Sequence, residues 1–465
     1  MVIDRNSIDH LVILTMENRS FDHFLGSLSM EGRLDVNGLP NPLPSMPDKS
    51  GNMEFCWNMD GLYSGYGDPP HTYAVQHACY NMGKMDGFVK EYHKTFPLGK
   101  LHKSPSRIPL GYYTRETLPV IYSLCDHFAV CDHWFSSLLS STWPNRKYLF
   151  SSMRDDDTDS LDIPAPPGFK TRPLFDSLEK WPNVTSGSLC TWKNYFSDMP
   201  FIAFWYDFAL EHAHSHFLPI TQFIEDCHNQ TLPTVSIVDP PFSLADDHPS
   251  FDVRRGQKFI KLIVDALTLS DSWHNTALVL LYDENGGFYD HVVPPQAFEM
   301  AHGKIPQDTP LGFRVPAVVI SPYALRGKAS NTIFDHTAVM KSIHTRWGVP
   351  FDADGYGTRF QYAPDIWESC FDFSQDPLEK GIYTESGIRG DETACPPAQS
   401  DEWFTHPFEK ITGSLGGVEE LLRDVFKLTG LRHLDCRHNL RNSLQGAESV
   451  VEGHRQSCRE AFQGK

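Results

Sequence analysis

A chain of 465 residues, 40% of them hydrophobic, is long enough for a large catalytic-sized core with an appendage. Its formal net charge of −19 argues against a binder of nucleic-acid backbones and against tight, purely electrostatic adsorption to an anionic bilayer. Ten cysteines without a C-x-x-C pair or zinc-finger spacing argue against a disulfide scaffold, and no run of about 18 apolar residues is present that could span a bilayer.

Met1 to His10 carries no basic n-region, apolar h-region or small-residue cleavage site. The chain is therefore expected to be cytoplasmic, to leave by a route without a cleavable Sec signal, or to begin after a removed leader. Leu11 to Thr15 reads as a strand buried on both faces that delivers Glu17 and Asn18 at its end. Strand carboxyl ends are where open parallel sheets place ligands, and a carboxylate beside an amide offers two oxygens to a divalent cation. An ordinary strand-to-loop turn is the alternative for this stretch alone.

In the segment from Asp132 to Phe150, Thr142 sits two residues before Pro144 at the head of a helix-compatible run. Backbone donors and the positive dipole end favour an anion there, and a metal on the same oxygen lowers its pKa enough to make a nucleophile. A plain Ser/Thr N-cap is the competing reading. Asn145 and Arg146 follow closely enough to orient the loop or touch phosphate, and an internal salt bridge through Arg146 is an equal alternative.

Phe201 to Phe208 holds five aromatics in eight residues, which read as core or as the wall of a cleft. In Glu211 to His216, His212 and His216 stand one helical turn apart, but that spacing alone does not make a metal site; a structural or substrate-facing role is expected, with metal content independent of these histidines. Val235 to Val238 is a further apolar strand, followed by a proline-fixed loop carrying Asp247 and His248, either a surface turn or an oriented acid/base pair. Its strand is expected to share a sheet with the one ending at Glu17.

Ala277 to Tyr282 is another apolar strand, and it runs Asp283 and Glu284 into the Gly286-Gly287 turn. Two unpaired charges at the end of a buried strand repel unless a cation or a proton sits between them. Asp290 and His291 follow within reach of the same strand end. Phe334 to Trp347 starts a helix with Asp335 in the N-cap region and His336 either facing a cleft or hydrogen-bonded at the helix start.

Strands interleaved with long helix-compatible stretches favour α/β over all-β. Asp365 to Trp403 is rich in Pro, Asp, Glu and Ser without a sustained period. Beyond it Val418, Leu421, Leu422, Val425 and Phe426 fall at helical spacing, with Gly430 as a stop. The expected organisation is a catalytic domain over 1–365 and a C-terminal extension over 366–465, a linker plus one amphipathic helix. Cys125 and Cys131 read as core residues, whereas Cys395, Cys436 and Cys458 could pair if the protein is exported.

Five ordered segments, MENRSFDHFLG, STWPNRKYLF, DDHPSFDVRRG, YDENGGFYDHVVPP and LGFRVPAVVISPYA, together resemble the bacterial and plant non-specific phospholipase C and acid phosphatase family over about residues 8 to 350. The resemblance implies an alkaline-phosphatase-like α/β/α sandwich and metal-assisted cleavage of a phosphate ester. It assigns Glu17, Asn18, Thr142, Asp283 and Glu284 to the metal, and His71, Asp247, His248 and His291 to catalysis or substrate binding. His71 comes from Asp68-Pro-Pro-His71, ahead of a segment similar to the family's G-K-M-D-G-F. Asn145, Arg146 and His336 are the expected substrate contacts. The sequence departs from the family at Asn285, where many relatives carry His, which bears on one outer-sphere or substrate contact; a threonine also stands where some acid phosphatases carry serine.

The function so implied is a phospholipase C that cleaves the glycerol-side phosphodiester of lipids such as phosphatidylcholine through Thr142, with transient contact to a membrane surface and no nucleic-acid partner. The implied cofactor is a divalent metal, zinc favoured and calcium or magnesium open. The aromatic run becomes a candidate wall for acyl chains or choline. A broad-specificity acid phosphatase, or an inactive effector on the same fold, are the alternatives.

Overall fold

Thr276–Tyr282 is buried throughout, as is all of His10–Met16 beyond its first residue, and the two strands pair in parallel with Met16 opposite Tyr282. Continuous apolar, β-branched runs of this kind form strands only where both faces are covered. These strands lie at the centre of the computed structural model, which describes residues 3–96, 106–159, 168–181, 190–242, 244–304, 308–351 and 355–380.

The main sheet has eight strands: β1 (His10–Met16), β2 (Ala129–Cys131), β3 (Trp192–Phe196), β4 (Phe217–Pro219), β5 (Val235–Val238), β6 (Thr276–Tyr282), β7 (Ala317–Ile320) and β8 (Ala329–Ser330). Their order is β8-β2-β7-β6-β1-β5-β3-β4. The block β6-β1-β5-β3-β4 is parallel, so its carboxyl ends open on one edge. β7 runs antiparallel to both β6 and β2, which makes the sheet mixed. Helices flank it, the longest among the described residues being Val253–Thr268, whose N-cap Asp252 accepts from the Arg254 N–H and which packs on Pro119–His127 and Ile220–Asn229. The expected α/β sandwich is the fold of this chain, and among the described residues no helix is long and apolar enough to cross a membrane.

Two expectations change here. The aromatic run is core: Phe201, Phe204, Trp205 and Tyr206 are buried and join the central apolar cluster, in tilted and edge-on contact with Phe150 and Phe169, so it offers no wall to acyl chains or choline. Packing also continues past residue 365, because Ile366, Trp367 and Cys370 are buried in that cluster and the Trp367 indole donates to the Ser342 carbonyl at 2.9 Å. The helix expected around Val418 to Phe426, and Cys395, Cys436 and Cys458, lie outside the described residues. Cys125 and Cys131 are buried, as expected.

Candidate active site

Because Met16 is paired with Tyr282, the residues that follow, Glu17 and Asp283, leave the sheet side by side. Asn18 then adopts a left-handed φ of 60°, a region Asn tolerates better than most residues. Its N–H donates to Asp283 Oδ1 at 3.0 Å, so the two strand ends are stitched together. Gly286 makes this approach possible: its φ is +58°, and a Cβ there would lie 2.0 Å from the Asn18 carbonyl oxygen. Gly286→Ala is expected to cost about 1–2 kcal/mol of stability through its backbone conformation and, by displacing Asn18, to lower turnover by roughly tenfold or more. Urea denaturation and kcat measured on one preparation check both; unchanged turnover would mean that the position of Asn18 is immaterial.

Thr142 is the first residue of the helix Thr142–Ser151, and the N-cap is Ser141, so the plain N-cap reading of Thr142 does not hold. Its hydroxyl lies 3.1 Å from Glu17 Oε2 and 3.2 Å from Asn18 Oδ1. One turn on, Arg146 is wholly buried, with Nη2 2.7 Å from Glu17 Oε1, Nε 3.2 Å from Asp283 Oδ2 and Nη1 3.7 Å from Asp239 Oδ1. The internal ion-pair reading of Arg146 is the one the geometry has. Asn145 is buried too; its Oδ1 accepts from Leu138 N–H and its amide donates to the Ser140 and Ser141 carbonyls, fixing the loop that presents Thr142.

Glu284 Oε2 accepts from the Gly286 N–H at 2.8 Å and from Gln76 Nε2 at 3.0 Å. Its Oε1 is buried without a hydrogen-bond partner and stands 3.7 Å from His71 Nε2. His71 is held from behind by the Pro69 carbonyl at 2.7 Å, and its Nε2 is 3.3 Å from the Asn18 amide. Burial alone would lower its pKa, but Glu284 and Asp68 outweigh that and raise it. Donor atoms of Asp68, His71 and His248 converge within 4.8 Å of one another.

In the Asp246-Asp247-His248 loop the acid nearest the cluster is Asp246, whose backbone oxygen accepts from Glu17 N–H at 2.8 Å and whose carboxylate accepts from His248 N–H at 3.0 Å. Asp247 turns away to the Tyr282 hydroxyl at 2.6 Å. The acid/base pair expected of Asp247 with His248 is therefore split. His336 does not face a cleft: it is fully buried, with Nε2 2.6 Å from the Asp283 carbonyl and Nδ1 accepting from the Trp134 indole. His291 turns to Asp22 at 2.8 Å and to Asn37 at 3.1 Å, in a separate network neutralised by Arg314.

The sequence thus leads to Glu17, Asn18, Thr142, Asp283, Glu284, His71 and His248 as one constellation, and misses Asp68, Gln76 and Asp246. Asp68 had a signal in the Asp-Pro-Pro-His segment, and Asp246 in the Asp-Asp pair; Gln76 had none.

Burial, and after it the neighbouring Asp283, push Glu17 well above the ordinary carboxylate range, while burial does the same to Glu284 and Asp246. Buried like charges with an orphaned oxygen at Glu284 form a set that a divalent cation relieves, and carboxylate, amide and hydroxyl donors suit a hard or borderline ion. The residues present fit a metal.

The Phosphoesterase family matches residues 8–350 of this chain. Phospholipase C B of Mycobacterium tuberculosis is 33% identical over 393 residues, covering 74% of this chain and 74% of that protein. Non-specific phospholipase C6 of Arabidopsis thaliana is 28% identical over 404 residues, or 79% of this chain and 72% of that one. Among solved structures, a protein in the alkaline phosphatase superfamily from Vibrio parahaemolyticus aligns with 74% of this chain and 67% of its own at 10% identity and a TM-score of 0.38.

Proposed function

Since the chain belongs to the Phosphoesterase family and is a hydrolase of phosphoric esters, we propose that it is a phospholipase C cleaving the glycerol-side phosphodiester of lipids such as phosphatidylcholine, with Thr142 as nucleophile. The observation that carries this reading is the Thr142 hydroxyl at a helix N-terminus, 3.1 Å from Glu17 and 3.2 Å from Asn18, inside a buried carboxylate cluster. Glu17, Asn18, Thr142, Asp283 and Glu284 would hold a divalent cation, zinc ahead of calcium or magnesium. When bound, that cation supplies charge stabilisation for the transferring phosphoryl group and a lower pKa for the Thr142 hydroxyl.

The chain's own groups do the rest. Thr142 Oγ1 forms a bond to phosphorus as its proton passes toward Glu17, and the phosphorus–oxygen bond to the glycerol side breaks. His71, whose pKa its acidic neighbours Glu284 and Asp68 raise, or His248 beside it, gives the departing alkoxide its proton. Diacylglycerol leaves and a phosphothreonyl ester remains. The same histidine then takes a proton from water, whose oxygen bonds to phosphorus; the phosphorus bond to Thr142 Oγ1 breaks as Glu17 returns its proton to that oxygen, and the phosphoalcohol leaves. Asn145 and Arg146 act by holding Thr142 and the carboxylates in place, and substrate reaches the site from a transiently contacted membrane surface.

The acidic chain disfavours anionic interfaces, and its nearest buried cation, Arg146, is already committed to carboxylates, which leaves little support for a dianionic monoester. Phosphatidylcholine is therefore expected to exceed phosphatidylserine and an aryl monophosphate in kcat/KM under one buffer. A win for the monophosphate by more than about tenfold, roughly 1.4 kcal/mol, replaces this reading with the acid phosphatase one. Chelation is expected to abolish turnover, and Asp283→Asn to need far more metal for half-maximal activity because the amide lacks the charge that offsets the cation. Full activity in rigorously metal-free protein would end the metal assignment.

A further inference from the structure

The helix Leu174–Lys180 carries Glu179, and the helix Tyr206–His216 carries His212 and His216 on the side that meets it. His216 Nε2 lies 2.8 Å from Glu179 Oε1, and His212 Nδ1 lies 4.0 Å from the same oxygen. All three donor atoms fall within 4.8 Å of one another. A tetrahedral zinc ion with bonds of about 2.0–2.1 Å sets its donors roughly 3.3 Å apart, a value between these two separations. Small rotations of half-exposed side chains therefore close the site.

The surroundings already aim these groups. The Trp192 indole donates to Glu179 Oε1 at 2.6 Å, and its ring stacks on His216 with centroids 4.3 Å apart. His216 Nδ1 is 2.7 Å from the Ser215 hydroxyl, which leaves Nε2 to face the carboxylate. Outer hydrogen bonds of this kind fix the tautomer and orientation of a ligating imidazole. Side-chain exposures of 16%, 21% and 31% for His212, His216 and Glu179 leave the remaining coordination position open to water. By contrast, the cluster of Asp22, Asp290 and His291 already has Arg314 as its counter-charge.

Against the role without metal expected from the His212 and His216 spacing alone, we infer that Glu179, His212 and His216 form a second metal site, separate from the constellation around Thr142, that takes zinc with water as its fourth ligand. Two imidazoles with one carboxylate select a borderline transition ion over calcium or magnesium. The ion ties two helices together beside Trp192 at the start of β3, next to the β4 edge of the sheet, so its effect falls on stability and not on turnover. Neither the site nor its test depends on the reaction proposed above.

The test is zinc binding by equilibrium dialysis of metal-stripped full-length protein, in the Asp283→Asn background so that the other constellation does not mask the difference. Protein with the intact triad is expected to bind one more equivalent than His212→Ala/His216→Ala, and Glu179→Gln, which keeps both rings, to bind that equivalent roughly tenfold or more weakly. Cobalt should give a tetrahedral visible spectrum that the double variant lacks. Zinc should raise Tm more where the triad is intact than in the double variant, both in the Asp283→Asn background, and with Asp283 restored these variants should hydrolyse ester substrates at the parent rate. Equal zinc stoichiometry and affinity in the parent and in Glu179→Gln overturns the proposal, even if the double variant does not fold.

Discussion

Thr142→Ala is expected to lower kcat by roughly 10³-fold or more while leaving the unfolding midpoint nearly unchanged. The methyl group of alanine keeps the helix start intact, since the cap is Ser141 and the loop is held by Asn145 and not by the Thr142 hydroxyl. What disappears is the oxygen that faces Glu17 and Asn18, and with it both the attacking group and one donor to the cation. Thr142→Ser restores an oxygen at the same carbon and should retain substantial activity. Denaturation curves and single-turnover phosphate-ester cleavage separate loss of chemistry from loss of fold. Near-normal kcat in Thr142→Ala, with metal content measured in the same sample, eliminates Thr142 as nucleophile.

The constellation was legible where it hangs on strand ends. Apolar runs of fixed length predict β1 and β6, and once they pair in register Glu17 and Asp283 have to emerge together. Loops obey no such rule. In the Asp246-Asp247-His248 loop, adjacency in sequence suggested that Asp247 serves His248, yet Asp247 has a positive φ of 72° that turns its carboxylate to Tyr282 and leaves Asp246 by the cluster. Composition could not separate core from cleft either: the run from Phe201 to Phe208 packs inward because Phe150, Phe169 and Trp192 are there to receive it, contacts no local pattern records. Gln76 and Glu179 were invisible for the same reason, each meeting its partners only through the fold.

Arg146→Met should destabilise the protein by about 3–5 kcal/mol, because it removes one partner from a buried ion cluster and leaves the other charges uncompensated. The guanidinium lies over the rings of Phe201 and Phe242 at 4.9 and 5.2 Å, and methionine keeps most of that apolar contact, so the loss is electrostatic more than a cavity. Two features distinguish this account from a packing defect. Added divalent metal should recover more stability in the variant than in the parent, since a cation offsets the same charges at Glu17 and Asp283. The deficit should also depend on pH through Asp239, which burial holds up at about 6 even with Arg146 opposing the shift. A carboxyl whose folded pKa is raised loses stability as pH climbs from its unfolded value through its folded one, and removing Arg146 moves that upper limit higher. The gap between parent and variant should therefore widen above pH 6 and narrow toward pH 5, as read from urea denaturation at pH 5 and pH 8 in metal-free buffer. A deficit that stays below about 1 kcal/mol and is flat with pH would remove Arg146 as the charge that keeps the Glu17 and Asp283 carboxylates together.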